Sequence, residues 1–171
     1  MPARIAKTVM VLSLGAFAFL VAFTNLTDYG ANWQFVQHVL SMDTTFQDPA
    51  IMDRAVTTPA LQRAGYALII AGEAVTCILF LVAGVRMLAA LGAPALAFAR
   101  AKRLVHLGAA AGFLVWFTGF MAVGGEWFAM WQSETWNGQE AAFRFYVTIL
   151  LVTIYVMQRD GEDDGEDDGE D

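Results

Sequence analysis

Four long runs of apolar residues constrain this chain more than any other feature of its sequence. A helix that crosses a membrane needs about 20 mainly apolar residues, because each residue rises about 1.5 Å through a core about 30 Å thick. Runs close to this length or longer occupy residues 8–27, 61–91, 104–128 and 143–157. The first run is longer than the apolar region of a typical signal peptide, and no clear cleavage site follows it, so we expect a retained helix. The sequence predicts an all-α integral membrane four-helix bundle within residues 1–159.

The positions of the basic residues predict the orientation of the bundle. Seven of them share the side of the two termini: Arg4, Lys7, Arg86, Arg100, Lys102, Arg103 and Arg159. Three lie on the opposite, outer side: Arg54, Arg63 and Arg144. Because Lys and Arg are enriched in cytoplasmic loops, this asymmetry predicts that both termini are cytoplasmic (N-in/C-in). Four tryptophans then collect at the outer side, as an aromatic belt would: Trp33, Trp127, Trp131 and Trp136.

The overall charge of −7 comes from the C-terminal segment, residues 160–171, which holds nine of the 17 acidic residues. The other eight acidic residues face ten Lys and Arg, so the rest of the chain carries +2 and offers no basic patch for nucleic acid. Repeats of Gly, Glu and Asp predict a disordered tail. It serves as a solubilising terminus or as a tether for a cation or a basic partner. The single Cys77 excludes an internal disulfide framework and a multi-cysteine metal site.

Small residues predict which helices pack together. In the second run they share one helical face, and in the third run they do the same: Gly65, Gly72 and Ala83, and Gly108, Gly112 and Gly119. Small residues let helices approach closely in lipid, and the short link between the two runs makes these helices antiparallel neighbours. Contact within one chain is favoured over a homodimer.

Four charged residues are expected at one level near the outer side: Asp28, Arg63, Glu126 and Arg144. Placing Val85 level with Leu104 in an antiparallel pair brings Glu126 opposite Arg63, because both helices rise equally per residue. The cluster is interpreted as a structural clamp or, alternatively, as a ligand or partner site.

Glu73 lies deep inside the second apolar run, near the expected midplane of the membrane. An ionisable residue at that depth is costly and is a functional candidate. The same counting gives it no basic neighbour, only polar or aromatic ones: Trp116, Thr118, Ser13 and Thr153. We expect Glu73 to be protonated, or hydrogen-bonded to a hydroxyl or an indole. Three interpretations stay open: static helix contact, a proton or cation site, and contact with a partner subunit.

The first outer loop, residues 30–60, contains a short amphipathic segment. Its apolar residues recur at helical spacing, which predicts a helix lying along the outer membrane surface: Phe35, Val36, Val39 and Leu40. Copper ligation by His38, Met42 and Asp43 is permitted by their spacing, but the set is incomplete and a surface histidine is favoured. Further outer-loop candidates for a functional role are Trp127, Trp131 and Asn137.

Haem and catalysis are not supported by the sequence. His38 and His106 fall at opposite sides of the bundle, so they should not share one haem. The chain also contains no nucleophile–base pair, phosphate loop or metal-ligand motif. We therefore predict no cofactor, no metal and no catalytic residues.

Two polar segments near the expected outer side have distinctive amino-acid sequences. Residues 25–46 read NLTDYGANWQFVQHVLSMDTTF, and residues 124–145 read GGEWFAMWQSETWNGQEAAFRF. With the four apolar runs, they resemble a proteobacterial family of predicted small integral membrane proteins of unknown function. The resemblance extends from Lys7 to about Arg159, without the acidic tail. It implies a bacterial inner-membrane protein and no known activity. Because both segments are rich in Trp, Asn, Gln and charge, we expect them to pack together into one outer structure.

The leading hypothesis is a non-enzymatic protein that binds or scaffolds another inner-membrane protein through its outer loops. The alternative is a small proton- or ion-linked transporter that uses Glu73, although no span is visibly broken and no inverted repeat is apparent. A third hypothesis is an accessory subunit that shapes a quinone or haem site. An enzyme acting through Asp43, Glu126 or His38 has no motif to support it. Besides lipid, a homo-oligomer is the remaining partner hypothesis.

Overall fold

A computed structural model describes residues 1–160, and the predicted acidic tail from residue 161 onward lies outside the described residues. Within that range the protein is helical and contains no strand. The helices in chain order are α1 (Pro2–Thr27), α2 (Tyr29–Ser41), α3 (Pro59–Ala89), α4 (Ala95–Ala101), α5 (Arg103–Phe113), a π-helix (Leu114–Trp127) and α6 (Gln139–Met157). Single 3₁₀ turns occur at Met52–Arg54 and Met130–Gln132.

Four helical segments of the described chain are long and apolar enough to cross a membrane, which confirms the four predicted runs. They are α1, α3, the continuous segment Ala95–Trp127, and α6. Helix α3 begins where the sequence indicates, with Thr58 as N-cap and Pro59 in the first turn. Helix α1 begins earlier than its apolar run, because Arg4 and Lys7 have partners at that end of the bundle and need not lie in lipid.

Helices α1 and α3 pack closely along their length through one glycine from each. A Cβ atom at Gly15 would lie 2.6 Å from Leu81 Cδ2, and one at Gly84 would lie 2.4 Å from Leu12 Cδ2. Each glycine therefore accommodates a leucine of the other helix. This reciprocal contact fixes the register of the two helices.

The predicted contact between the second and third spans is confirmed at three glycines. Gly72 faces Val115, Gly108 faces Phe80, and Gly112 lies against Thr76 and Ile149. Gly65 instead faces Leu40 of α2, and Gly119 has no side chain of another helix near its missing Cβ. The antiparallel register expected from the sequence holds, because Gly72 is level with Val115.

The third span changes helix type partway along its length. It is α-helical to Phe113 and π-helical from Leu114 to Trp127, where the Phe128 amide bonds to the Val123 carbonyl five residues earlier at 3.0 Å. π-helices are rare and are often found at functional sites. The span remains one continuous helical segment from Ala95 to Trp127, so this is a change of helix type and not a break. Apolar periodicity does not distinguish the two helix types over such a length.

The bundle has two different ends. The terminal end carries the start of α1, the α3–α4 connection and the end of α6. The loop end carries α2 and the connections at residues 42–58 and 128–138, which flank the start of α6. Between the two ends lies a core of buried residues from all four spans, including Val11, Phe80, Val105 and Ile149.

Candidate functional site

A cavity of about 240 Å³ lies toward the loop end, between α1, α2, α3, the π-helix and α6. Glu73 of α3 lines it and is only 1% exposed. Its Oε2 atom accepts a hydrogen bond of 2.7 Å from Asn25 Nδ2 of α1. Oε1 has no protein donor among the described residues. One half of a buried carboxyl group is thus held by the protein, while the other half remains available within the cavity.

Asn25 is itself fixed by a second helix. The Tyr66 hydroxyl of α3 donates a hydrogen bond of 2.8 Å to the Asn25 carbonyl oxygen. Tyr66 is buried and its ring lies 4.9 Å from that of Tyr29 at the start of α2. Because Tyr66 and Glu73 are two turns apart on the same face of α3, both reach the last turns of α1. The amide is therefore positioned before any ligand arrives.

Four further aromatic side chains line the cavity. Phe35 and Phe120 lie with ring centroids 5.9 Å apart, and Trp116 lies 5.7 Å from Phe145. Gly138 leaves room for the first pair, since a Cβ there would lie 2.9 Å from Phe35 Cζ. Of the lining residues, all within the described range, Glu73 alone carries an ionisable carboxyl, and none is Lys, Arg or His.

The hydrogen-bond partner expected for Glu73 was wrong. Its partner is an amide of α1, not a hydroxyl or an indole. Ser13 bonds within its own helix to the Val9 carbonyl, and the buried Thr153 hydroxyl has no partner in the described chain. Only Trp116 of the expected neighbours lines the cavity. The cause is the close packing of α1 on α3. Spacing along the sequence does not predict the register of these two helices.

The same register sets the position of Glu73 relative to α1. Glu73 lies midway along α3, but it is level with Asn25, which is two residues before the end of α1. Helix α3 extends beyond α1 at the loop end, where it packs against α2 instead. The change from α-helix to π-helix also falls at this level, because Val115 faces Gly72. Within the bundle, the cavity therefore lies toward the loop end.

The two polar segments, residues 25–46 and 124–145, pack together, which confirms that part of the prediction. Thr44 Oγ1 donates to Ser133 Oγ at 2.8 Å, and the Phe46 amide donates to Gln132 Oε1 at 3.0 Å. The His38 ring stacks on Trp136 with centroids 4.8 Å apart. We call the structure formed by residues 29–58 and 128–139 the cap. Its hydrogen bonds join loops that are about 90 residues apart in sequence.

The outer-loop candidates have separate roles within the cap. His38 Nδ1 lies 2.8 Å from Asp43 Oδ2, whereas Met42 is fully buried beside Phe128 and Ala129. These three side chains therefore do not converge on one copper site. No group of three His, Cys, Asp or Glu residues within the described range could hold a metal ion. Asn137 Oδ1 accepts the Gln139 amide at 3.0 Å and so supports the start of α6.

Of the exposed aromatic side chains in or next to the cap, three are the most accessible. Phe46 is 70%, Trp127 55% and Trp131 51% exposed. Trp131 meets Phe46 edge to face at 5.8 Å, and the Arg54 guanidinium lies 4.9 Å above the Trp127 ring. We call Phe46, Arg54, Trp127 and Trp131 the aromatic ridge. Because the loops beneath are hydrogen-bonded to each other, these large side chains are held in place while exposed.

The four charged residues expected to converge do not form one cluster. Arg144 pairs with Glu140, one turn earlier in α6, and both side chains are exposed. No ion pair in the described chain joins Asp28, Arg63, Glu126 and Arg144 to one another. Counting residues along antiparallel helices with equal rise predicts only that they lie at similar heights along the bundle. Height alone does not determine which way a side chain points around its helix.

An ion cluster at the terminal end was missed by the sequence analysis. Asp160 lies between Lys7 and Lys102, with oxygen–nitrogen distances of 2.7 and 2.6 Å, and all three side chains are buried. We call these three residues the terminal clamp. Lys102 also donates to the Val156 and Gln158 carbonyls at the end of α6. In the sequence, Asp160 resembles the acidic tail because it opens a run of acidic residues.

The electrostatics of the terminal clamp are set by its two lysines. Burial alone raises the pKa of Asp160, but hydrogen bonds from Lys102 and Lys7 and their positive charges outweigh it. The pKa of Asp160 therefore lies below its usual value. The clamp joins α1, the α4–α5 junction and the end of α6, so it closes the terminal end.

These features define a class: a four-span helical membrane protein with a largely apolar cavity around one buried carboxyl group and a structured cap at one end. Residues 3–159 match the model of a family described as "predicted small integral membrane protein (DUF2165)", and the chain belongs to that family. The match covers both segments of the cap and the residues around Glu73. No curated protein and no solved structure matched the chain.

Proposed function

We propose that the protein is a non-enzymatic accessory protein that binds another membrane protein through its cap. The observation that carries this proposal is the aromatic ridge, which is exposed on loops that are fixed to each other. Trp and Arg are enriched at the energetic centres of protein interfaces. Residues that are already ordered lose less conformational entropy on binding.

The charge around the ridge indicates the chemistry of the partner surface. Residues 28–63 and 126–144 contain seven Asp and Glu against three Arg. A partner with a basic rim around an apolar centre would complement this surface. A simple aromatic belt would need no hydrogen bonds between distant loops beneath it.

A photo-crosslinking amino acid at position 131, in place of Trp131, tests this function in native membranes. We expect one discrete protein adduct on irradiation. The matched control is the same substitution at Leu151, which is exposed on α6 among the apolar residues of a span. Asp48→Lys should weaken the adduct at position 131 if the partner surface is basic. Equal labelling at both positions, or labelling of lipid alone, would contradict partner binding.

We also propose a location and an orientation. The protein lies in the bacterial inner membrane, with the terminal end in the cytoplasm and α2 near the outer face of that same membrane. The seven basic residues near the termini support this orientation. Single cysteines at Phe46 and at Arg100, each in a Cys77→Ser background, would test it with a membrane-impermeant maleimide. In intact spheroplasts we expect labelling at position 46 and none at position 100. The reverse pattern would refute the orientation.

A second function, proton-linked transport, is favoured by one specific observation. The third span changes to a π-helix at the level of Glu73. π-Helical turns occur frequently at functional sites. In liposomes under an imposed membrane potential, the wild-type protein should carry protons, and Glu73→Gln should abolish the flux. Equal flux in both proteins, or none in either, would exclude this function.

A further inference from the structure

The cavity around Glu73 combines three features that select a particular kind of ligand. It contains a buried carboxyl group with one oxygen free of protein donors, aromatic rings, and neutral polar groups from Asn25, Asn32 and Tyr66. No basic side chain of the described residues lines it. A buried carboxylate without a cation is costly, so it is either protonated or paired with something that the chain does not supply.

We propose that this cavity binds a small organic cation, of the amine or quaternary ammonium class. The free Oε1 of Glu73 would face the positive charge, and the rings of Trp116, Phe120 and Phe145 would contact its apolar groups. Carboxylates together with aromatic faces are the usual protein environment for such cations. The proposal concerns binding alone, and it requires neither the partner nor the transport function.

The size of the cavity favours an organic cation over a bare metal ion. A water molecule occupies about 30 Å³ in the liquid, so a volume of about 240 Å³ is several times larger than an ion needs. Its wall is also mainly apolar, with five aromatic residues, and it offers few oxygen ligands, whereas hard cations take six or more. A substituted ammonium group fills such a space without a full shell of oxygens.

The preformed geometry supports binding to the apo protein. Tyr66 holds Asn25, and Asn25 holds Glu73 Oε2, so the carboxyl group is already oriented. The cavity is bounded on the loop-end side by Asn32, Gly138 and Ala141, of which Ala141 is exposed. A ligand would enter there, between α2 and the start of α6.

Choline and its neutral isostere 3,3-dimethyl-1-butanol have the same shape but differ in charge. Comparing their binding therefore distinguishes a cation site from a nonspecific apolar cavity. Both would be titrated into the full-length protein in detergent, with thermal unfolding and tryptophan fluorescence as readouts. We expect choline to bind about ten-fold or more tightly than the isostere. Sodium and potassium chloride at matched ionic strength should give no stabilisation.

Three variants complete the test. Glu73→Gln should remove the preference for choline, whereas Glu140→Gln, an exposed acid at the start of α6, should retain it. If Glu73→Gln does not fold, Trp116→Phe should weaken choline several-fold and leave the isostere unchanged, because Trp is the strongest cation–π partner. Equal binding of choline and isostere, equal stabilisation by inorganic salts, or no binding of choline would each overturn the proposal.

Discussion

At the scale of single residues, the free energy of unfolding of this protein depends on a few buried polar groups. A buried polar group is tolerated when it is hydrogen-bonded and is costly when it is not. Glu73 and Asn25 satisfy each other in part, and Tyr66 extends the chain of bonds. Each of these three side chains comes from a helix that crosses the bundle. Their bonds therefore stabilise tertiary contacts rather than single helices.

Removing the Tyr66 hydroxyl should destabilise the protein by about 1 kcal/mol, the usual net value of one buried hydrogen bond. Tyr66→Phe keeps the ring contact with Tyr29 but leaves the Asn25 carbonyl without its donor. The matched control is Tyr29→Phe, since the Tyr29 hydroxyl has no partner among the described residues. Chemical denaturation in mild detergent would measure both. A similar effect for the two variants would show that the bond to Asn25 contributes nothing.

Asp160→Asn should destabilise the protein by about 2 kcal/mol at neutral pH, because two buried lysines lose their counter-charge. Asp160 has a lowered pKa when folded, so its contribution is fully present above the unfolded value of about 3.9 and is lost as the pH falls through the folded value. Wild-type stability should therefore decrease in acid. Thermal unfolding across this pH range would show a smaller decrease in Asp160→Asn. Glu140→Gln, which removes an exposed pair, should behave as wild type.

At the scale of helices, close approach is the main device that holds the bundle together. Lipid chains are as apolar as leucine, so burying a leucine against another helix gains little unless the packing is tight. Gly15 and Gly84 allow this for α1 and α3, and Gly72, Gly108 and Gly112 allow it for α3 and the third span. The register set by these contacts brings Asn25 to Glu73.

Gly15→Ala should destabilise the protein by about 1–3 kcal/mol, as overpacking usually does. The new Cβ would lie 2.6 Å from Leu81 Cδ2 and 3.1 Å from the Leu81 backbone nitrogen, so α1 and α3 must separate. Gly30→Ala is the control, because nothing lies within 4 Å of its Cβ position on α2. That change should stabilise the helix by about 0.5 kcal/mol. Effects of the same sign at both positions, measured by thermal unfolding, would refute this account of the α1–α3 contact.

The π-helix adds a second constraint at this scale. It begins beside Gly72, and Trp116 in its first turn is buried against Phe17 and Phe145. A wider helix turns its side chains through a smaller angle per residue than an α-helix does. The direction of Trp116 and Phe120 toward the cavity therefore depends on the helix type. An α-helical continuation would rotate Phe120, six residues along, to a different face of the helix, and Trp116 by a smaller angle.

At the scale of the whole molecule, the two ends of the bundle are closed by different means. The terminal end is closed by charge, through the terminal clamp, and by Arg4, which donates to the Leu91 carbonyl. The loop end is closed by neutral hydrogen bonds and stacked rings in the cap. The cavity lies just beneath the cap. Residues of both cap segments, among them Asn32, Phe35 and Gly138, line this cavity directly.

The rigidity of the cap can be tested with the double variant Thr44→Cys, Ser133→Cys in a Cys77→Ser background. The two native hydroxyls are 2.8 Å apart, so mild oxidation of the purified protein should link the new thiols rapidly. The control pair is Thr45→Cys with Ser133→Cys, because Thr45 bonds back to the Met42 carbonyl. Mass spectrometry of the loss of free thiols would follow both reactions. Equal rates for the two pairs would mean that the loops are not held together.

The sequence by itself determined the number of spans, the antiparallel contact of the second and third spans, and the packing of the two outer segments. Apolar length, small-residue spacing and the distribution of polar residues are local signals, and each acts through one helix or one loop. Glu73 was also identifiable, because an acid inside an apolar run is visible without a structure.

Only the tertiary structure decided which groups meet. The partner of Glu73 follows from the register of α1 on α3, which depends on how Leu12 and Leu81 fit against Gly84 and Gly15. The terminal clamp joins positions up to 153 residues apart, and Arg144 pairs within its own helix rather than across the bundle. Side-chain direction around a helix and the offset between helices are set by packing against neighbours. Spacing along one chain does not encode either of them directly.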